Sequence, residues 1–214
     1  HIKATIQEEL ELMAISLRNK FEVIGTDSGD KWRELLDEVG EYDTYHLSDF
    51  HHLAEIMGEG KAYALVYREQ GCLIFFPLLI RPISPELCMG DDLYDVTSVY
   101  GYPGPLASID HVPEDIAGRF TDAVNEFFLS QNVVSAFSRL HPVIDKTSML
   151  KGYGEVIDIG PTISIDTRQP DEAQISNYSS SLRKEIRKLN NLGFYCEAVD
   201  SSCLNDFMKI YTTT

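Results

Sequence analysis

The chain has 214 residues, 43% apolar and 24% charged, enough to bury the core of one domain and part of a second. Its 34 acidic against 18 basic residues give a formal charge of −16, which argues against whole-surface attraction to DNA or to an anionic membrane. The longest apolar run, CLIFFPLLI from Cys72 to Ile80, is far short of the roughly 20 residues a membrane-spanning helix needs and reads as a buried strand.

The first 19 residues read as an N-terminal extension without the basic and then apolar run of a signal peptide. KFEVIG (Lys20 to Gly25) reads as a strand. DKWRELLDEV then sets Trp32, Leu35, Leu36 and Val39 at i, i+3, i+4 and i+7, a helix over 31–39 capped by Asp30. SDFHHLAEIM repeats the pattern over 49–57, with Ser48 as cap and Phe50, Leu53, Ala54 and Met57 on one face. KAYALVY and CLIFFPLLI are strands joined through REQG, the polar, glycine-containing link of a hairpin. LYDVTSVY is a further strand, and it runs into YGYPGP.

After that loop, apolar residues from Ile116 to Phe128 fall at helical spacing, which predicts a helix over 113–131. VVSAFSRL reads as the next strand, Asp145 to Lys151 as a short helical turn, and EVIDIG and TISID as two more strands. From Asp171 a new series opens: a helix through AQISNYSSSLRKEIRKLNN, a stop at Gly193, a strand FYCEAV and a helix SCLNDFMKIY. The order over 20–168 is that of an α/β domain with an antiparallel section, and 169–214 reads as the incomplete opening of a second one.

Four cysteines, Cys72, Cys88, Cys196 and Cys203, lack CxxC spacing and read as free thiols in a reducing, cytoplasmic setting. No metal site is expected, because His51 and His52 adjoin on a helix and diverge by about 100°. GEGKA fails the P-loop pattern, and neither GxSxG nor HExxH occurs.

The stretch YDVTSVYGYPGP, residues 94–105, carries the chemistry. Gly101 and Gly104 permit positive φ, Pro103 and Pro105 stiffen the backbone, and Tyr100 and Tyr102 each present a flat ring with a hydroxyl at its edge. This is either a preformed ligand wall or a strand corner whose tyrosines cap the core. Asp95, at the strand that enters the loop, either orients an amine or caps the turn. Arg139 and His141 in SRLHP end a strand and read as structural or as part of the same cleft. LRKEIRKL places Arg183 and Arg187 one turn apart, Lys184 and Lys188 likewise. It is either a solvated face or an anion clamp, since arginine forks match phosphate geometry.

YDVTSVYGYPGP after FFPLLIRPI, with FSRLHPVI and then LRKEIRKLNNLGF beyond, resembles the FemAB-like N-acyltransferases and peptidoglycan-bridge aminoacyltransferases. The likeness spans about 31–214. The resemblance implies two tandem GNAT-like domains, each a mixed sheet flanked by helices. It implies transfer of an acyl or aminoacyl group onto an amine of a cell-wall or polysaccharide precursor. The acceptor would lie between the domains against Tyr100 and Tyr102, with its phosphates met by the segment of Arg183. The donor, acyl-CoA or aminoacyl-tRNA, would be bound mainly by the second domain, making tRNA the one nucleic-acid partner expected. The loop supports that division, because YGYPGPLASIDHVPED offers two prolines without N–H groups and three acids where a pyrophosphate cradle needs backbone donors. The alternative is a non-catalytic binding module of the same fold.

Overall fold

A computed structural model describes residues 20–87 and 92–213, so the N-terminal extension and Cys88 lie outside the described residues. The chain falls into two compact units, one ending at Ile159 and one starting at Gly160, nine residues before the boundary expected from sequence.

The first unit is α/β, a six-stranded open mixed sheet flanked by helices. Its elements are β1 (Phe21–Gly25), α1 (Gly29–Val39), α2 (Ser48–Ile56), β2 (Lys61–Glu69), β3 (Cys72–Pro82), β4 (Tyr94–Thr97), β5 (Leu106–Ala107), α3 (Glu114–Ser130) and β6 (Val133–Ala136). The sheet order is β1, β2, β3, β4, β6, with β5 also on β3. All pairings are antiparallel except β4 with β6. The β2–β3 hairpin closes through Gln70 and Gly71, both at positive φ (49° and 81°), the backbone a two-residue turn requires to match strand twist.

Period-two alternation splits β3 between two cores. Ile74, Phe76, Leu78 and Ile80 face α3, where Phe120, Val124 and Phe128 cover them. Leu73 and Phe75 face the opposite side, under Trp32, Leu35 and Leu36 of α1. With both faces covered, the strand reads as one unbroken apolar run. Smaller residues, Ala62 and Leu79 with Val99, form the seat of α2.

Several expectations are corrected. Helix α1 begins at Gly29, so Asp30 lies in its first turn and is not its cap. Ser48 is the first residue of α2 and makes no capping bond. The buried stripe of α2 runs through His51 and Ala54, leaving Leu53 and Met57 exposed at 51% and 67%. EVIDIG, TISID and FYCEAV form no strands, and the second unit consists of the helices α4 (Asp171–Asn177), α5 (Ser180–Asn191) and α6 (Leu204–Thr213) with irregular segments between them. No helix among the described residues is long and apolar enough to cross a membrane.

Candidate functional site

The YGYPGP loop owes its projection to β3. Strand β4 pairs with β3 up to Thr97 opposite Leu79, and β5 resumes at Leu106 opposite Phe75. Eight residues, 98–105, therefore face only three of β3, 76–78, and the surplus backbone is thrown outward. Pro77, which has no N–H to give a ladder, falls within those three. The loop leaves from the carboxyl end of β4. Its parallel neighbour β6 ends at the same edge, so the segment 137–141 runs beside the loop. Phe137 N–H donates to the Val96 carbonyl (2.9 Å) and Arg139 N–H to Ser98 Oγ (3.3 Å). The carboxyl ends of parallel strands are where open α/β sheets hold ligands.

A third segment, 42–47, closes the cluster. The Tyr45 ring lies edge-on to Tyr102 (centroids 6.0 Å) and to Phe50 (5.7 Å). Gly101, at φ +103°, passes so near that a Cβ there would lie 2.3 Å from the Tyr45 ring. A Cβ on Gly104 would lie 3.0 Å from Leu140 Cα. Both glycines are thus required by close approach, Gly101 by its backbone angle as well. Gly101 and Gly104 are buried, whereas Tyr100 and Tyr102 are 79% and 44% exposed. The tyrosines do not cap the core; they stand on the solvent side of a packed loop.

Two histidines fasten these segments. His46 is fully buried; its Nδ1 accepts the Asp43 N–H (3.1 Å), so Nε2 carries the proton and donates it to the Gly104 carbonyl (3.2 Å). Its own carbonyl accepts from Trp32 Nε1 (2.8 Å), linking the loop to the α1 core. Burial pushes His46 down to about 4, as it does His51. His141 Nδ1 accepts two backbone N–H groups, from Val143 (3.1 Å) and Ile144 (2.9 Å), and Nε2 donates to Asp43 Oδ2 (3.2 Å). Asp43 Oδ1 also accepts the Tyr45 N–H (3.4 Å). Burial opposes ionisation of Asp43, but these donors outweigh it and hold the carboxyl below its ordinary range.

Of the residues singled out in the sequence, the structure brings together Tyr100, Gly101, Tyr102, Gly104, Arg139 and His141. Arg139 is turned onto the Phe137 ring, 5.5 Å from its centroid. Asp95 does not cap the turn: Arg81 holds it through a bidentate pair (2.9 and 2.7 Å). Arg183 and Arg187 lie on α5 in the second unit, Arg183 half-buried and Arg187 exposed. Sequence reasoning missed Asp43, Tyr45 and His46.

No family model, curated protein or solved structure matches this chain.

Among the described residues no three His, Cys, Asp or Glu side chains gather as a metal would need. A separate groove of about 590 Å³ lies where α3 stops short of the opposite sheet end, lined by Lys61, Tyr63, Ile80, Tyr94, Gln131 and Asn132. Its cation is engaged, since Lys61 Nζ pairs with Glu55 at 2.9 Å.

Proposed function

We propose that this chain holds the acceptor in an N-acyltransferase of the FemAB-like type, built from GNAT-like domains of which 169–214 opens the second. It transfers an acyl or aminoacyl group to an amine of a cell-wall or polysaccharide precursor. The observation that carries the reading is the loop 98–105, packed rigidly at its glycines yet presenting Tyr100 and Tyr102 to solvent at the carboxyl ends of β4 and β6. Rigid aromatic side chains lose little entropy on binding and suit a ring or peptide face.

Chemically, the amine must be neutral at the moment of attack, held at contact distance from the donor carbonyl, and the developing oxyanion must meet hydrogen-bond donors. The first unit supplies placement. Its loop gives no pyrophosphate cradle, because Pro103 and Pro105 have no N–H, so acyl-CoA or aminoacyl-tRNA is assigned to the second domain. Arg183 and Arg187, on α5 of the second unit, are the residues to which the family resemblance assigns acceptor phosphates, groups that arginine forks meet with charge-assisted bonds.

A specific observation favours a second reading, a binding module without transfer: both ring nitrogens of His46 and of His141 are engaged, so neither can take a proton without breaking a bond. Radiolabelled acyl-CoA and aminoacyl-tRNA, each offered with amine-bearing precursors to the product of the full reading frame, separate the two. Label on the amine supports the transferase. Acceptor binding with no transfer from either donor class overturns it in favour of the module.

A further inference from the structure

The groove under the end of α3 is a second ligand-sized space, and it lies on the opposite face of the sheet from the packing of the tyrosine loop. Strand alternation puts Lys61 and Tyr63 of β2, Ile80 and Pro82 of β3 and Tyr94 of β4 on the α3 face, and Tyr63, Ile80 and Tyr94 join the core that α3 covers. Val99, which leads into the loop, packs with Ala62 and Leu79 on the other face. Helix α3 ends at Ser130, short of the sheet end, and the space it leaves, about 590 Å³, is of the size of a preformed small-molecule site. Its walls are fixed. Asn132 takes φ +53°, which asparagine tolerates, and its carbonyl accepts the Tyr94 N–H (3.0 Å), tying the chain that leaves α3 to β4. Gly60, at φ +143°, passes so near β3 that a Cβ there would lie 2.9 Å from the Ile80 carbonyl.

The polar groups of the lining are unspent. Among the described residues, the Tyr63 and Tyr94 hydroxyls and the Asn132 carboxamide have no hydrogen-bond partner, and Gln131 gives one N–H to Ser130 Oγ (3.3 Å) and keeps its amide oxygen. Charge is disfavoured in both signs. Lys61 is held by Glu55 Oε1 (2.9 Å), which leaves no net positive charge to draw an anion, and α3 has no basic residue in its last turn to offset the negative end of its dipole. A cation would meet the Lys61 ammonium itself. Phenols and carboxamides both donate and accept, as hydroxyl groups do, and Ile80 and Pro82 supply an apolar floor. A pyranose ring has the matching make-up, a C–H face and a rim of hydroxyls. A nucleobase instead needs an open ring to stack on, and both tyrosines are half-buried against the α3 core.

We propose that this groove binds an uncharged sugar, with the C–H face of the ring on Ile80 and Pro82 and its hydroxyls bonded to Tyr63, Tyr94 and Asn132. The site is independent of the acyl-transfer reading: it needs no donor, and it serves an enzyme and a binding module equally.

The test uses the whole chain carrying ¹³C-labelled tyrosine rings, with Tyr63→Phe and Tyr94→Phe each deleting one labelled signal and so assigning it. Methyl β-glucoside and N-acetylglucosamine are titrated against their charged counterparts, glucose 6-phosphate and glucosamine. Saturable shifts of the Tyr63 and Tyr94 signals are expected with at least one of the neutral sugars, and its charged counterpart should bind at least about threefold more weakly. Asn132→Gly keeps the positive φ without steric cost and removes the carboxamide, so it should weaken the neutral sugar about three- to tenfold. No saturable shift with either neutral sugar, an equal response to the charged counterpart, or undiminished affinity in Asn132→Gly overturns the proposal. Should Asn132→Gly fail to fold, Tyr94→Phe, which removes only a hydroxyl, is read on the Tyr63 signal, and unchanged affinity overturns the proposal again. Uridine bound as tightly as the better sugar overturns the choice of ligand. Sugar binding that leaves both ring signals unmoved places the ligand elsewhere and overturns the site.

Discussion

At Gly101, as at Gly60, two requirements coincide that are separate at Gly40. Gly40, at φ +88°, ends α1 with open space where a Cβ would stand, so Gly40→Ala meets only the left-handed backbone cost, about 1 kcal/mol. Gly101→Ala meets that cost and a Tyr45 ring 2.3 Å away, which cannot swing aside freely because Phe50 and Tyr102 flank it. The expected loss is about 3 kcal/mol, read by urea denaturation of both variants. Equal losses for the two would mean that the ring yields and that the loop is not held by this contact. The difference bears on function, since the same contact sets the position of Tyr102.

Helix α2 is fixed by Glu55, whose carboxylate, 12% exposed, accepts from Thr26 Oγ1, Lys61 Nζ (2.9 Å) and the Ala62 N–H (2.9 Å). Burial acts against its ionisation, yet these partners hold it down to about 2. Glu55→Ala strands the Ala62 donor and should cost about 2 to 3 kcal/mol. Glu38, in a pair with Arg68 where both side chains are about half exposed, should cost under about 1 kcal/mol on the same change. Thermal unfolding of the two variants checks the contrast. The same helix shows where the sequence stops being legible. Apolar spacing points to Phe50, Leu53, Ala54 and Met57. The buried stripe instead runs through Leu47, Phe50, His51 and Ala54, turned by about 60°, because a histidine at a core position leaves no apolar mark. Helices α1 and α3 were legible because their inner faces are wholly apolar. EVIDIG and TISID have strand-like alternation, but a strand also needs a neighbour to pair with, which composition does not supply. Within the site, the loop announced itself through its glycines, prolines and tyrosines. Asp43 and His46 did not, because their deciding bonds span 98 and 58 residues.

For the whole molecule, the charge of −16 and the buried histidines pull stability in opposite directions as pH falls. Protonating surface carboxylates relieves self-repulsion and favours the folded state. His46 and His51 oppose this. Both are fully buried and pushed from about 6.5 down to about 4 in the fold, His51 with its Nδ1 bonded to the Leu47 carbonyl (3.0 Å) and no hydrogen-bond partner among the described residues for its buried Nε2. Between pH 6.5 and 4 the unfolded chain therefore carries protons on these rings that the folded chain does not, so their contribution to stability falls as pH falls and is constant below about 4. The slope is at most about 2.7 kcal/mol per pH unit for the pair, half of it from each ring. Total stability mixes this with charge relief, but a single replacement isolates it. His51→Gln lowers stability by some fixed amount at neutral pH and removes one titrating ring, so its urea stability should drop less steeply than that of the parent, by about 1.4 kcal/mol per pH unit at the centre of the window. Parallel profiles for the two proteins from pH 6.5 to 4 would show that His51 is reached by solvent and protonated in the folded state. Below about 4.5 a further loss is expected in both as Glu55 and Glu69, each held to about 2, take up protons in the unfolded chain first.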